Sequence, residues 1–206
     1  MKRLNTDYID LYQIHWPDNE TPHEETVAAL DDLVRAGKIR YFGWSNYNAD
    51  MIGQCARISA EMGLNRAISL QSRYNMLERH LEQREVPQCR EDGLGLIPFS
   101  PLAQGLLTDR YLDGIPEGSR ASRAESLDPA WVTDALRERV RALDAIARER
   151  GQSLAQMALA WTLRDTRVTS TLIGASSLEQ LEANVATLDN LAFTEDELTA
   201  IESVLT

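Results

Sequence analysis

Lysine is nearly missing from this 206-residue chain: Lys2 and Lys38 are the only two, and the formal net charge is −11. An acidic surface of that kind excludes general binding to nucleic acid or to an anionic membrane, while leaving room for a local basic pocket. Cysteine is equally sparse. Cys55 and Cys89 fall in stretches of helical character, without metal-ligand spacing or a disulfide framework, the pattern of reduced thiols in the cytoplasm. No apolar run approaches the ~20 residues of a membrane span. The start, Met1-Lys-Arg-Leu-Asn5, leads into no hydrophobic signal segment. Low-complexity tracts, linkers and recurring motifs are also missing. These features predict one cytoplasmic domain over residues 1–206, without nucleic-acid or membrane partners. The content is otherwise ordinary for a folded domain, 43% apolar and 26% charged.

Present instead is a series of short apolar runs, each ending in polar residues. Tyr8–Ile14 delivers His15 into the turn Trp16-Pro17-Asp18, Ile39–Trp44 runs into Ser45-Asn46, and Ala67–Leu70 into Gln71. Leu94–Ile97 leads to Pro98-Phe99-Ser100-Pro101, and Thr169–Ile173 to Gly174-Ala175-Ser176. The first three intervals are about 30 residues each, the length of a βα unit.

Helical segments are predicted between them. Thr21-Pro22 with Glu24 and Glu25 opens one, whose stripe Val27, Leu30, Leu33, Val34 closes at Gly37. Others are expected over 49–61, over 78–91 (interrupted by Pro87), over 131–150 and, behind a Ser153 cap, over 154–164. The last two cover 178–188 and the segment opened by the capping box Thr194-Glu-Asp-Glu197. Residues 103–130 form a Gly/Pro/Ser-containing loop long enough to suggest a functional role. Parallel βα units with polar residues at strand C-termini are the building plan of a (β/α)8 barrel, which takes about 250 residues. Five strands make a partial barrel.

Four stretches carry a specific likeness: Asp10–Asp18 (DLYQIHWPD), Gly37–Asn46 (GKIRYFGWSN), Ile97–Ala103 (IPFSPLA) and Ile173–Ser176 (IGAS). In order and spacing they resemble the aldo-keto reductases, closest to the bacterial and potassium-channel β-subunit branch. The resemblance implies an α/β fold, a (β/α)8 TIM barrel of which this chain matches approximately units four to eight. It also implies NADPH-dependent reduction of aldehydes or ketones.

In that family an Asp, Tyr, Lys and His tetrad stands at the barrel mouth, where the lysine eases proton donation by the tyrosine. His15 matches the histidine. The other three members lie upstream of the matched units. Lys38 precedes a strand and belongs at the opposite face, and Tyr12, Tyr41, Tyr47 and Tyr74 have no lysine placed to activate them. The expected tetrad is therefore incomplete in this polypeptide.

The cofactor positions are better represented. Ser45, Asn46 and Gln71 match residues that hydrogen-bond the nicotinamide carboxamide, an amide requiring both donors and acceptors. Phe99 matches the aromatic that stacks on the nicotinamide ring. Ser100, Pro101 and Leu102 match the segment along the pyrophosphate. Arg110 replaces a lysine of relatives, and Arg120, after Ser119, resembles a contact to the 2′-phosphate, suited by a planar charged fork. Gly174, Ser176, Gln180 and Asn184 match a phosphate and adenine site at a helix N-terminus. Ala183 stands where relatives carry an adenine-contacting glutamate.

The leading expectation is thus a carbonyl reductase sequence, catalytically incomplete by itself, acting on a small-molecule carbonyl substrate. The alternative is a non-catalytic nicotinamide-nucleotide-binding or regulatory module. A metal hydrolase built on His15, Asp18 and His23 is disfavoured, because those residues span one turn without a second ligand cluster. Open barrel edges further predict marginal stability or self-association.

Overall fold

The computed structural model describes residues 2–123 and 127–206. Its four strands are β1 (Ile9–Ile14), β2 (Ile39–Ser45), β3 (Ser69–Arg73) and β4 (Gly95–Phe99), forming a parallel sheet in the order β1-β2-β3-β4. The seven helices are α1 (His23–Arg35), α2 (Ala49–Met62), α3 (Glu85–Asp92), α4 (Asp134–Glu149), α5 (Leu154–Leu163), α6 (Leu178–Val185) and α7 (Glu195–Leu205). The alternation of strand and helix with a parallel sheet is the expected α/β, partial-barrel architecture. Two compact units make up the chain: residues 1–72 with 80–97, and residues 73–79 with 98–206.

In the first unit, side-chain alternation sorts each strand into two faces. Phe42, Trp44 and Leu70 are buried, at 3% exposure or less, as are Val27 and Leu30 of α1 and Ile52 and Cys55 of α2. Each large apolar side chain so buried contributes about 1.5–3 kcal/mol. The opposite face of β1 and β2 carries Leu11, Gln13, Tyr41, Gly43 and Ser45, with Gln13 paired to Gly43. Gly43 is required there, because a Cβ would lie 2.1 Å from Ser69 Oγ and 3.0 Å from Ser69 O. Asn48 caps α2 by accepting from the Met51 N–H, and Gly63 closes it at φ 65°.

The core of the second unit is α5, apolar on all sides, with Met157, Ala158, Ala160 and Trp161 fully enclosed. The Trp161 ring lies between the guanidinium groups of Arg164 (3.5 Å) and Arg79 (5.1 Å). Arg79 is in turn bound by Glu202 of α7 at 2.7 Å. The predicted capping box of Thr194 with Glu197 forms in full, and the predicted Ser153 cap forms one with Gln156.

Three expectations need correction. The run Thr169–Ile173 is extended but forms no strand among the described residues. Its one hydrogen bond to a neighbouring run is from Leu172 N–H to Pro98 O, 2.9 Å, and a ladder needs a repeated series. The helix expected over 78–91 begins only at Glu85, which places Pro87 in its first turn, where no intrahelical N–H is needed. A short 3₁₀ turn, His80–Glu82, precedes it. The loop 103–130 is punctuated by 3₁₀ turns at Ala103–Gly105, Asp109–Tyr111 and Pro129–Trp131, while its residues 124–126 lie outside the described residues.

Candidate functional site

In the first unit the C-terminal ends of β1 and β2 present His15 and Ser45-Asn46, whereas Gln71, expected at a strand end, lies in the middle of β3, level with Ser45. The register continues from Ile14 opposite Trp44 and from Ser45 opposite Gln71. Asn46 ties the row together. It takes a left-handed φ of 60°, its N–H donates to Gln71 O (3.0 Å), and its Nδ2 donates to His15 O (2.9 Å) and Ser45 Oγ (3.1 Å). Ser45 is buried, Asn46 and Gln71 half-buried, and His15 exposed beside the Trp16 ring. Beyond His15, Asp18 accepts from the Glu20 N–H (2.9 Å) and the Thr21 hydroxyl (2.7 Å), which hold its carboxyl below the ordinary value.

The tyrosines of the first unit differ in their surroundings. Burial, with added repulsion from Cys55 and Asp18, pushes the Tyr47 phenol up to about 12. Tyr12 and Tyr41 are exposed. Lys2 and Lys38 line a surface cleft with Asn5, Thr6 and Asp7, at the N-terminal end of β1 and β2 and so opposite the row.

In the second unit the turn after β4 concentrates backbone strain. Ser100, Ala103 and Gln104 have φ of 55°, 46° and 59°, values that L-residues rarely adopt outside functional or tightly held turns. Phe99 is half-buried, with the Arg73 guanidinium 5.7 Å from its ring centroid. Pro101 is buried and Leu102 half-buried, and the Leu102 carbonyl accepts from the N–H groups of Gly105 (2.8 Å) and Leu107 (3.2 Å). The buried Gln104 Oε1 has no hydrogen-bond partner.

Further along, Tyr111 is buried and its hydroxyl accepts from the Ala121 N–H at 3.4 Å. Ser119 is buried, its Oγ accepting from the Ser122 N–H at 3.2 Å. With Ser119 and Ala121 both anchored, Arg120 between them is left exposed, as is Arg110. Among the described residues neither arginine has a carboxylate partner. At the start of α6, the Ser176 N–H and hydroxyl both donate to Gln180 Oε1 at 2.9 Å, so these two come together as expected. Asn184 follows one turn later, and Gly174 precedes them in an exposed stretch.

The donor set suits a nicotinamide nucleotide. Asn46 spends its N–H₂ on His15 and Ser45 and keeps Oδ1 as an acceptor, while the Gln71 amide offers both functions, as a primary carboxamide requires. Two unpaired arginines match phosphate charge. Sequence reading overlooked Asn75, whose side chain holds the Ser100 turn. Its signal was the Asx-turn pattern of an asparagine followed by Met76-Leu77-Glu78.

Comparison with known proteins follows the same lines. The profile of the Aldo/keto reductase family matches residues 1–206. An L-glyceraldehyde 3-phosphate reductase of Escherichia coli O157:H7 is 42% identical over 207 residues, 98% of this chain and 60% of that protein. A putative voltage-gated potassium channel subunit beta of Schizosaccharomyces pombe is 36% identical over 213 residues, covering 100% of this chain and 61% of that protein. The protein tas of Escherichia coli K12 is 34% identical over 221 residues, 99% of this chain and 64% of that protein. The chain thus spans about three-fifths of the length of the curated relatives it matches.

Proposed function

The chain belongs to the aldo/keto reductase family, and from that premise we propose that it carries the NADPH-binding part of an aldehyde or ketone reductase. The observation that carries this reading is the row of His15 and Ser45-Asn46 at the ends of β1 and β2 with Gln71 of β3 level with Ser45, tied together by the side chain and N–H of Asn46. Ser45, Asn46 and Gln71 take the carboxamide, and Phe99 offers a ring face to the nicotinamide. Ser100, Pro101 and Leu102 line the pyrophosphate. Arg110, Ser119 and Arg120 serve phosphate groups, and Gly174, Ser176, Gln180 and Asn184 serve the adenosine end. The bound nucleotide supplies hydride. His15, exposed at the end of β1, orients the substrate carbonyl by hydrogen bonding.

On this reading no lysine-activated proton donor stands beside His15 among the described residues. Both lysines lie at the N-terminal end of the strands, and the buried Tyr47 phenol, at about 12, holds its proton too tightly to donate it. The expected result for the purified chain is quenching of tryptophan fluorescence by NADPH without carbonyl-dependent NADPH oxidation. Steady turnover would refute the missing proton donor, and absence of quenching would refute nucleotide binding.

A second reading, a nucleotide-binding regulatory module, is favoured by the 36% identity to a protein named as a channel subunit beta. Binding without turnover suits both. Restoration of carbonyl reduction by adding the Asp-, Tyr- and Lys-bearing segment of a relative would single out the reductase.

Self-association belongs to the same proposal. Tyr12 and Trp16 are exposed on and beyond β1 in the first unit. In the second, α6 shows the stripe Leu178, Leu181 and Val185 at 66%, 44% and 52% exposure. Size-exclusion chromatography should show species larger than a monomer, and a clean monomer would count against it.

A further inference from the structure

Ser100 occupies the left-handed region directly after β4, and its carbonyl, which accepts locally from the Ala103 N–H at 2.9 Å, is held a second time from a distant part of the sequence. Asn75 is fully buried, at 0% exposure. Its Nδ2 donates to Ser100 O at 3.0 Å and to the Glu78 carboxylate at 2.8 Å. Its Oδ1 accepts from the N–H groups of Leu77 (2.9 Å) and Glu78 (3.0 Å). Both donors and both acceptor positions of the amide are used. One residue earlier, the Tyr74 N–H donates to Phe99 O at 3.3 Å. Two consecutive residues thus bind the two consecutive carbonyls of the turn. Arg73 completes the arrangement, pairing with Glu78 at 3.4 Å.

We propose that Asn75 is the positioning residue of the Phe99–Leu102 turn, fixing the ring of Phe99 and the strained Ser100 for nucleotide binding. This rests on reading that turn as part of the nucleotide site. Only a neutral amide can do the work. Aspartate would retain the two acceptor bonds but set a carboxylate against both Ser100 O and the Glu78 carboxylate. Arg73, already engaged by Glu78, is the cation beside this group.

Asn75→Asp and Asn75→Ala in the full chain test the assignment, with NADPH affinity from fluorescence quenching between about pH 5 and pH 8. Loss of one donor to the turn should weaken binding about tenfold for Asn75→Asp at the alkaline end. Burial and the Glu78 charge raise the pKa of the introduced acid, so the neutral form dominates below that raised value. That form carries an O–H donor for Ser100, and the defect should shrink as the pH falls. Asn75→Ala has no such donor, so its weakened binding should not recover at low pH. A purely structural role would give a loss without this pH recovery, and that outcome overturns the proposal. So does unaltered affinity in both variants, which would leave the nucleotide reading intact. If the parent chain fails to bind NADPH, the nucleotide reading fails by itself. Amide hydrogen exchange then decides the clamp: selective loss of protection over residues 100–107 in Asn75→Asp upholds it, and unchanged protection sinks it.

Discussion

Two strand ends in this chain meet the same physical demand in different ways. β2 and β4 are each followed at once by a left-handed residue, Asn46 at φ 60° and Ser100 at φ 55°. In the first unit the left-handed residue is itself an asparagine, a type that tolerates the conformation, and its Nδ2 reaches His15 O. In the second unit the left-handed residue is a serine, and the amide that reaches its carbonyl belongs to Asn75, 25 residues away. One end is held by an amide of its own, the other by an amide supplied from another residue. The second is also the more strained, since Ala103 and Gln104 follow in the same region.

The comparison can be broken in order of expected effect. Asn75→Ala should be the most damaging change, about 3 kcal/mol in chemical denaturation, because a fully buried amide loses its bonds to Ser100 O, the Glu78 carboxylate and the Leu77 and Glu78 N–H groups. A loss below that of Asn46→Ala would remove the distinction between a borrowed amide and an intrinsic one. Gly43→Ala comes next, at about 2 kcal/mol, since the added methyl meets Ser69 within a paired strand. If its unfolding midpoint matched that of the parent, the sheet would not be rigid enough to position Asn46. Asn46→Ala should cost about 1–2 kcal/mol through the left-handed backbone and the lost bond to His15, whereas Asn46→Gly should recover the backbone part. Equal losses for both would mean that backbone strain is absent at this position.

The smallest effect is a control remote from both strand ends. Thr194→Ala should cost about 1 kcal/mol by removing the cap of α7. The Thr194 N–H, aided by Arg150, holds the Glu197 carboxyl below its ordinary value of 4.5. A depressed folded-state pKa means stability that is present above 4.5 and lost as the pH falls through the lower folded value. Acid titration of the melting temperature should show that loss in the parent and a flatter profile in a Glu197→Gln variant. Identical profiles would dissociate the capping box from acid stability.

Much of the architecture could be read in advance because its signals are local. The helix of Val27, Leu30, Leu33 and Val34, the Ser153 cap and the Thr194 box each act within a turn or two of chain and form as expected, although Leu33 is left exposed. The exits of β1 and β2 at His15 and Ser45-Asn46 were equally legible, whereas the third strand, expected to end before Gln71, runs from Ser69 to Arg73. The fifth run misled for the complementary reason. Thr169–Ile173 has strand composition, but a strand also needs a partner for its ladder, and composition does not specify one. Residues 78–84 misled through proline, which marks the start of α3 rather than a break within it.

Local chemistry in the chain therefore decided which residues become helices, where these stop, and which polar groups stand at the ends of the apolar runs. Tertiary structure alone decided that Asn75 closes on Ser100, that Gly43 must leave room for Ser69, and that residues 169–173 build no strand ladder among the described residues. Propensity and capping depend on neighbours a few residues away, whereas these outcomes depend on groups tens of residues distant being held within hydrogen-bond or van der Waals reach.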